Sequence, residues 1–162
     1  MGINRYRPHL LVLPEDDSNR QIANGFILNP SLNERVIQVL PPSGGWRRVV
    51  DSFREVHVAE MYKYIERRVL LIIDFDNQPQ IRMIHIQSQI PKDLNDRVFV
   101  LGTLSEPESL RSSFGQSFEH IGGSLAQDCV NSTETMWGHA LLSHNKTELG
   151  RMTSFVKPFL FS

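Results

Sequence analysis

The stretch His9-Leu-Leu-Val-Leu-Pro14, followed by Glu15-Asp16-Asp17, decides the fold expected for this chain. A second apolar run, Val69-Leu-Leu-Ile-Ile73, also leads into acids, at Asp74-Phe-Asp76. Continuous apolar runs of this length are typical of central parallel strands that are covered on both faces. Because the carboxyl ends of parallel strands meet at one edge of a sheet, we expect the two acidic clusters to share a crevice there.

The rest of the chain alternates between strand and helix patterns. Further strands are predicted at residues 36–40 and 97–101. The alternation predicts an α/β fold with a doubly wound, mainly parallel four-stranded sheet and a C-terminal helical extension. We expect the 162 residues to form a single domain, with the α/β core over residues 9–110 and the extension over 111–162.

The helices are predicted from capping patterns and apolar spacing. Ser18-x-x-Gln21 and Ser105-x-x-Glu108 match the capping box that begins a helix. Apolar residues from Trp46 to Ile65 follow helical spacing, and residues 79–90 favour a helix although part of them alternates like a strand. Two or three short helices are predicted over residues 116–152, separated by Gly122-Gly123 and Asn131-Ser132.

The acids after the strands predict a metal site. Residues two apart in a strand face the same way, so Asp74 and Asp76 can point together if the strand conformation continues past Ile73. Glu15 is expected to reach the same crevice from the neighbouring strand. Convergent carboxylates are the ligands that Mg²⁺ and Mn²⁺ prefer, often together with substrate phosphate oxygens. Acids in such positions also cap helices, which is the alternative role for Asp16, Asp17 and Asp76.

The loop Ser43-Gly44-Gly45 lies between the second predicted strand and the long helix. Glycines let the backbone approach an anion closely, and a helix N-terminus carries partial positive charge. The loop is therefore a candidate phosphate-binding segment. An ordinary strand-to-helix turn is the alternative interpretation.

Charge and cysteine content narrow the classes of function. With 17 basic and 18 acidic residues, the net charge of −1 lacks the basic excess of a protein whose whole surface binds nucleic acid. A nucleic-acid role therefore requires a local patch or a partner protein. The single Cys129 fits a reducing compartment, and no apolar run reaches 18 residues, so a cytoplasmic location is expected.

The order of these motifs resembles the Toprim domain of primases, topoisomerases and OLD-family nucleases. In that family an acid ends the first strand, a small-residue loop follows the second, and Asp-x-Asp ends the third. Glu15, Ser43-Gly44-Gly45 and the pair Asp74 and Asp76 stand at the matching positions. The resemblance covers roughly residues 9–110. It implies that Glu15 acts as a metal ligand or acid/base and that Asp74 and Asp76 bind the metal.

The resemblance also extends to a glutamate after the next strand. OLD-like members carry one there, and Glu106 or Glu108 stands at the matching position. Together with the first three acids, such a glutamate implies a site for Mg²⁺ or Mn²⁺ that cleaves phosphodiesters in DNA or RNA. The alternative role for Glu108 is in the capping box of the following helix.

Five arginines are candidates for holding a nucleic-acid strand, because arginine forks match phosphate geometry. A solvated helix face is the alternative for most of them. These residues are Arg47, Arg48, Arg54, Arg67 and Arg68.

Two other functions remain open. One is a Toprim-shaped module without catalysis that docks on a larger nucleic-acid machine, such as an ATPase. The other is a receiver-like phosphoacceptor, in which Asp74 accepts the phosphoryl group while Thr103 and Lys157-Pro158 follow later strands. The long spacing between these receiver elements favours the Toprim-like interpretation.

Overall fold

The computed structural model of the chain describes residues 2–161. Its sheet contains four strands: His9–Pro14 (β1), Ile37–Val39 (β2), Arg67–Asp74 (β3) and Val98–Thr103 (β4). All pair in parallel, in the order β2-β1-β3-β4. The predicted α/β fold with a parallel four-stranded sheet is confirmed. The strand order reverses between β1 and β3, where open α/β sheets place their ligand crevices.

Helices cover both faces of the sheet. Between β2 and β3, a π-helical turn at Phe53–His57 joins two short α-helices into one continuous helical segment. The α-helices are Asp17–Phe26 (α1), Trp46–Ser52 (α2), Val58–Lys63 (α3), Pro79–Gln87 (α4), Pro107–Phe114 (α5), Phe118–Asn131 (α6), Lys146–Phe155 (α7) and Lys157–Leu160 (α8). None of the helices within residues 2–161 combines the length and apolarity that crossing a membrane requires.

Two elements begin at other residues than the sequence predicts. Asp16, two residues before Ser18, is the N-cap of α1 and accepts a hydrogen bond from the backbone of Asn19. Glu106 rather than Ser105 precedes α5, because Pro107 occupies the first helical position, where a missing N–H costs nothing. The capping boxes predicted at Ser18 and Ser105 were therefore wrong.

The predicted long helix and the helix over 79–90 are both shorter than expected. The π-helical turn shifts the apolar stripe, so Val56 is exposed although the spacing placed it inside. Ile65 is exposed because α3 ends before it, at Lys63. Helix α4 ends at Gln87, and the alternating pattern from Ile84 to Ile90 does not form a strand. Within α4 the buried side chain is Ile86, whereas Ile84 faces solvent.

The pair Gly122-Gly123 does not separate two helices but lies inside α6. A side chain at Gly122 would place its Cβ 1.9 Å from the carbonyl oxygen of Ile22 on α1. At the same crossing, a Cβ at Gly25 would lie 1.9 Å from the carbonyl oxygen of Glu119. These glycines are present because two helix backbones touch. The C-terminal helical extension is confirmed, with α6 ending at Asn131 as its sequence predicts.

The core divides between the two faces of the sheet. On one face, Leu71 and Ile73 of β3 are completely buried beneath α2, α3 and α4. On the other face, Leu10, Leu70 and Leu101 face α1 and the C-terminal helices. Alternate residues of β1 and β3 thus enter different cores, as the period of two in a strand requires. Burial on both faces accounts for the uninterrupted apolar runs in the sequence.

Side chains from the C-terminal extension cover the outer edge of β4. Asn145 accepts a hydrogen bond from the N–H of Gly102 at 3.0 Å and donates to its carbonyl at 2.9 Å. The carboxylate of Glu148 accepts a hydrogen bond from the N–H of Val100 at 2.9 Å. An open sheet edge invites pairing with other chains. Helix α7 thus closes this edge with side chains in place of a fifth strand.

Candidate metal centre

Three acids converge at the switch point of the sheet. Each of Glu15, Asp16 and Asp74 offers one carboxylate oxygen, and these oxygens lie within 4.8 Å of one another. Glu15 and Asp74 are each 8% exposed, and Asp16 is half-buried. Carboxylate oxygens gathered in this way can hold a metal ion.

Backbone hydrogen bonds carry the strand ends up to the acids. The N–H of Glu15 donates to the carbonyl of Ile72 at 2.9 Å, which extends the pairing of β1 and β3 by one residue. On the other side of β3, the N–H of Phe75 donates to the carbonyl of Thr103 at 3.0 Å. The positions of Glu15 and Asp74 are therefore fixed by the sheet rather than by a flexible loop.

Asn19 connects the cap of α1 to Asp74. Its side-chain oxygen accepts from the N–H of Asp16 at 3.1 Å, while Asp16 accepts from the N–H of Asn19 at 3.1 Å. The amide nitrogen of Asn19 donates to Oδ1 of Asp74 at 3.2 Å. The hydroxyl of Thr103 lies 3.4 Å from the same oxygen. Asp16 therefore caps the helix and also belongs to the acidic cluster.

The protonation of the cluster follows from its burial. Burial raises the pKa of Glu15 to about 8, assisted by a hydrogen bond with Asp74 and by the negative charges of Asp74 and Asp16. Burial also raises the pKa of Asp74, although hydrogen bonds from Glu15, Asn19 and Thr103 oppose this change. The carboxyl of Glu15 thus retains its proton to higher pH than an ordinary glutamate does. Its Oε1 is shielded from solvent and lacks any hydrogen-bond partner within residues 2–161.

Asp76, the third acid expected in the site, lies outside the cluster. The chain leaves the strand conformation after Phe75, and Asp76 and Asn77 adopt left-handed backbone conformations with φ of 47° and 60°. The carboxylate of Asp76 turns to solvent, with its side chain 64% exposed, and pairs with Arg82 at 2.7 Å. The expected alignment of Asp74 with Asp76 fails because the strand ends one residue too early.

The loop Ser43-Gly44-Gly45 is attached to the acidic cluster through its backbone. The N–H of Ser43 donates to the carbonyl of Pro14 at 3.1 Å. Gly44 and Gly45 donate to the carbonyl of Glu15 at 2.8 and 3.3 Å, and positive φ angles of 88° and 141° make this possible. The amides of Gly44 and Gly45 thus hold the backbone of Glu15 in position, and phosphate binding by this loop stays a prediction.

The glutamates after β4 lie beside the cluster but do not belong to it. Glu106 is exposed and precedes α5 without a side-chain capping bond. Glu108 is also exposed, and its Oε1 accepts a hydrogen bond from the hydroxyl of Ser18 at 3.3 Å. Within residues 2–161, the group of acids close enough to share one ion is Glu15, Asp16 and Asp74.

The five candidate arginines separate into two groups. Arg47 and Arg48 are exposed at the start of α2, directly after the loop that bonds to Glu15, and Arg54 is exposed further along the same helical segment. Arg67 and Arg68 begin β3, at the end of the strand opposite Asp74. These two are therefore remote from the acidic cluster.

The remote arginines take part in structural contacts. The Nε of buried Arg67 donates to Nε2 of His9 at 3.0 Å, and Nδ1 of His9 faces the carbonyl of Arg7 at 2.7 Å. Burial lowers the pKa of His9, which fits a neutral ring that accepts from Arg67. Arg68 bonds to Glu66. Arg67 thus links β3 to β1, whereas Arg68 bonds to the segment just before its own strand.

Of the residues expected in a receiver-like site, Thr103 lies near Asp74 and Lys157 does not. Thr103 ends β4 and approaches Asp74, as a receiver arrangement requires. Lys157-Pro158 instead begins α8, because the described part of the chain contributes four strands to the sheet and not five. Nζ of Lys157 donates to the hydroxyl of Ser132 at 3.1 Å. The arrangement expected of Lys157 in a receiver is therefore not formed by residues 2–161.

No family model, curated protein or solved structure matches this chain. The resemblance to Toprim domains therefore stays a prediction from the sequence motifs.

Three residues of the site were not recognised as site residues from the sequence. Asp16 was included in the acidic stretch after the first strand, with helix capping as its alternative role, but it was not named as a metal ligand. Asn19 could have been found from Asp16-x-x-Asn19, which places its side chain back at the helix start. Arg82, whose guanidinium donates to the carbonyl of Asp74 at 2.6 Å and to Asp76, carries no sequence signal that identifies this role.

Proposed function

We propose that this chain is a Toprim-like protein that cleaves phosphodiester bonds in nucleic acid with the help of Mg²⁺ or Mn²⁺. The observation that supports it is the buried, unpartnered Oε1 of Glu15 beside Asp16 and Asp74. A buried polar atom without a partner is costly, and a bound cation offers Glu15 the partner that the protein does not supply. All three donors are carboxylates, the hard ligands that favour these two ions.

Each residue of the acidic cluster and its surroundings has a proposed role. Glu15, Asp16 and Asp74 would hold the cation, which when bound supplies charge to polarise a phosphate and activates water. Asn19 and Thr103 orient the carboxylate of Asp74. The backbone of Glu15 is fixed by the loop at Gly44, so its carboxyl stays available as a ligand or for proton transfer.

Arg47 and Arg48 are the residues we propose for holding the nucleic-acid backbone. They lie next to the loop that contacts Glu15, and neither forms a salt bridge within residues 2–161. Arg47 and Arg82 approach the ring of Trp46, with guanidinium-to-centroid distances of 5.0 and 4.5 Å. An aromatic ring among arginines is a common platform for single-stranded bases. This patch supplies locally the positive charge that the near-neutral chain lacks overall.

Plasmid nicking in the presence of Mn²⁺ tests the proposed cleavage. Asp74→Asn should lower the nicking rate by roughly 100-fold or more, because it removes a charged ligand from the cation site. Asp76→Asn is the matched control, since Asp76 is exposed and lies outside the cluster. It should retain the rate of the unmodified protein. Nicking that persists in Asp74→Asn, or that is lost equally in both variants, would contradict the assignment.

An interaction module without catalysis is the second candidate. Ile81 and Ile84 lie on α4, directly after the turn that carries Asp76, and both side chains are more than two-thirds solvent-exposed at 67% and 68%. Exposed aliphatic residues one helical turn apart favour a protein contact, such as an ATPase of a larger machine. This candidate predicts copurification of a partner that Ile84→Glu abolishes, together with no nicking by the chain alone.

The proposed location is the cytoplasm. The only cysteine, Cys129, is unpaired, which suits a reducing compartment. Nucleic acid and Mg²⁺ are both available there, so the location agrees with the proposed reaction.

A further inference from the structure

A large cavity lies between one face of the sheet and the C-terminal helices. Its volume is about 460 Å³, within the range of about 300–1,000 Å³ typical of small-molecule sites. The sheet provides its floor, α1 and α6 one wall, and α7 and α8 the other. Among the apolar side chains that line it are Val12, Ile22, Phe26, Ile72, Trp137 and Met152.

The two faces of the sheet differ in how well they are packed. On β3, Leu71 and Ile73 are fully buried by α2 to α4, whereas Ile72 between them points to the cavity side and remains partly accessible. A central strand of a parallel sheet is normally covered on both faces. Because Ile72 is incompletely packed, the face of the sheet that lines the cavity has room for a ligand.

Contacts with other elements fix the positions of α6 and α7 on either side of the cavity. Helix α6 is fixed against α1 through the backbone contact at Gly25 and Gly122. Helix α7 is tied to the edge of β4 by Asn145 and Glu148. An unfilled cavity of this size forfeits dispersion contacts of the side chains around it. An apolar ligand restores those contacts, whereas water finds few polar partners there.

The polar and charged side chains around the cavity indicate which chemical group of a ligand it favours. Lys157 and Ser132 lie at the solvent-exposed rim of the cavity, where Nζ of Lys157 donates to the hydroxyl of Ser132 at 3.1 Å. Lys157 forms no salt bridge within residues 2–161. Asp128, the buried acid of this wall, is already bonded to Thr133 and to two backbone N–H groups. The remaining charged wall residues, Glu134 and Lys146, are exposed and opposite in sign.

We propose that the cavity binds a lipophilic monocarboxylate, a molecule of the chemical class of medium-chain fatty acids. Its apolar chain fills the space beneath α7 and α8, and its carboxylate accepts hydrogen bonds from Lys157 and Ser132. The site is separate from the acidic cluster, so the proposal does not depend on nuclease activity.

Calorimetric titration of the delipidated full chain tests the proposal, with dodecanoate as the probe and dodecan-1-ol as its uncharged match. Dodecanoate should bind saturably with one molecule per chain and at least about tenfold more tightly than the alcohol. Lys157→Met should weaken dodecanoate binding about tenfold and leave the alcohol unaffected. Equal affinity for both probes would overturn the assignment of a carboxylate. Absence of saturable binding would overturn the site itself.

A second variant tests the location. Gly150 lies on α7 in the cavity wall, and a Cβ built on it meets no atom within 4 Å. Gly150→Leu should fill the cavity, abolish binding of both probes and keep or raise the unfolding temperature. Ser154→Leu, on the same helix but outside the wall, is the matched control and should bind dodecanoate normally. Unchanged binding in Gly150→Leu would show that the probe binds elsewhere.

Discussion

The carboxyl groups of Glu15 and Asp74 approach each other at the ends of two adjacent parallel strands, with an oxygen of each within 4.8 Å of the other. Burial raises the pKa of both acids, and their mutual contact raises that of Glu15 further while it opposes the rise in that of Asp74. Pairs of carboxyl groups with separated pKa values are frequent in sites that bind metal or transfer protons. The inequality has consequences for stability as well as for metal binding.

The unfolding free energy of the metal-free protein should fall as the pH rises. The pKa of Glu15 is about 8 in the folded chain against 4.5 for an ordinary glutamate, so folding favours the protonated form. This stabilisation is complete below about pH 4.5 and is lost as the pH rises through about 8. The expected loss is on the order of 5 kcal/mol, because the pKa rises from 4.5 to about 8 and each unit of pKa corresponds to about 1.4 kcal/mol.

Urea denaturation at about pH 5 and about pH 9 measures this effect. Glu15→Gln should flatten the dependence, since the amide does not titrate in this range. Glu108→Gln removes an exposed carboxylate nearby and should leave the pH dependence as it is in the unmodified chain. A dependence of equal steepness in Glu15→Gln and the unmodified chain would assign the titration to another group.

Added Mn²⁺ should stabilise the protein, and more strongly at alkaline pH. Binding requires Glu15 to lose its proton, so affinity increases as the pH approaches the pKa of about 8. A thermal-shift titration with Mn²⁺ should give a rise in unfolding temperature that Asp74→Asn eliminates. Asp76→Asn should retain the rise in unfolding temperature, because the carboxylate that it removes pairs with Arg82 outside the cluster. Equal loss in both variants would contradict the arrangement of the ligands.

The sequence was sufficient to predict the sheet and two of the three acids in the cluster. Apolar runs specify buried parallel strands, and the parallel pairing then requires Glu15 and Asp74 to meet at one edge. The error at Asp76 arose because its position depends on where β3 ends. That end is set by the turn at Asn77, whose N–H donates to the carbonyl of Leu104 at 2.7 Å. This contact between segments distant in sequence leaves no local pattern.

The glycine pair in α6 is the clearest case in which local pattern and packing disagree. Glycines destabilise a helix interior, so Gly122-Gly123 was interpreted as a break. In the folded chain, the contact between α1 and α6 offsets that cost, since only a residue without a side chain fits at Gly122. Evidence for this contact exists in the sequence only as the complementary Gly25 on α1, nearly a hundred residues away.

Substitution at this helix crossing should destabilise the protein. Gly122→Ala would place a methyl group against the backbone of α1, where no side chain can move aside, at a cost of about 1–3 kcal/mol. Gly25→Ala should have a similar effect from the other side of the contact. Gly150→Ala is the matched control, because its methyl group meets open space and should stabilise α7 by up to about 1 kcal/mol. Urea denaturation of the three variants distinguishes backbone contact from helix propensity.

The carboxylate of Glu148 should be essential to the closed edge of β4. It is 5% exposed, accepts from the N–H of Val100 and pairs with Arg151 at 2.7 Å. Glu148→Ala leaves a buried N–H without an acceptor and removes the carboxylate that pairs with Arg151, which should cost about 3 kcal/mol.

Amide hydrogen exchange at Val100 provides the measurement for this edge. Exchange should accelerate strongly in Glu148→Ala, and the exposed strand edge should also promote association between chains at high concentration. Glu148→Gln keeps an oxygen acceptor at the same position and should retain most of the protection. If Val100 exchanges at the same rate in all three proteins, the N–H of Val100 is protected by another partner, and α7 does not close the sheet.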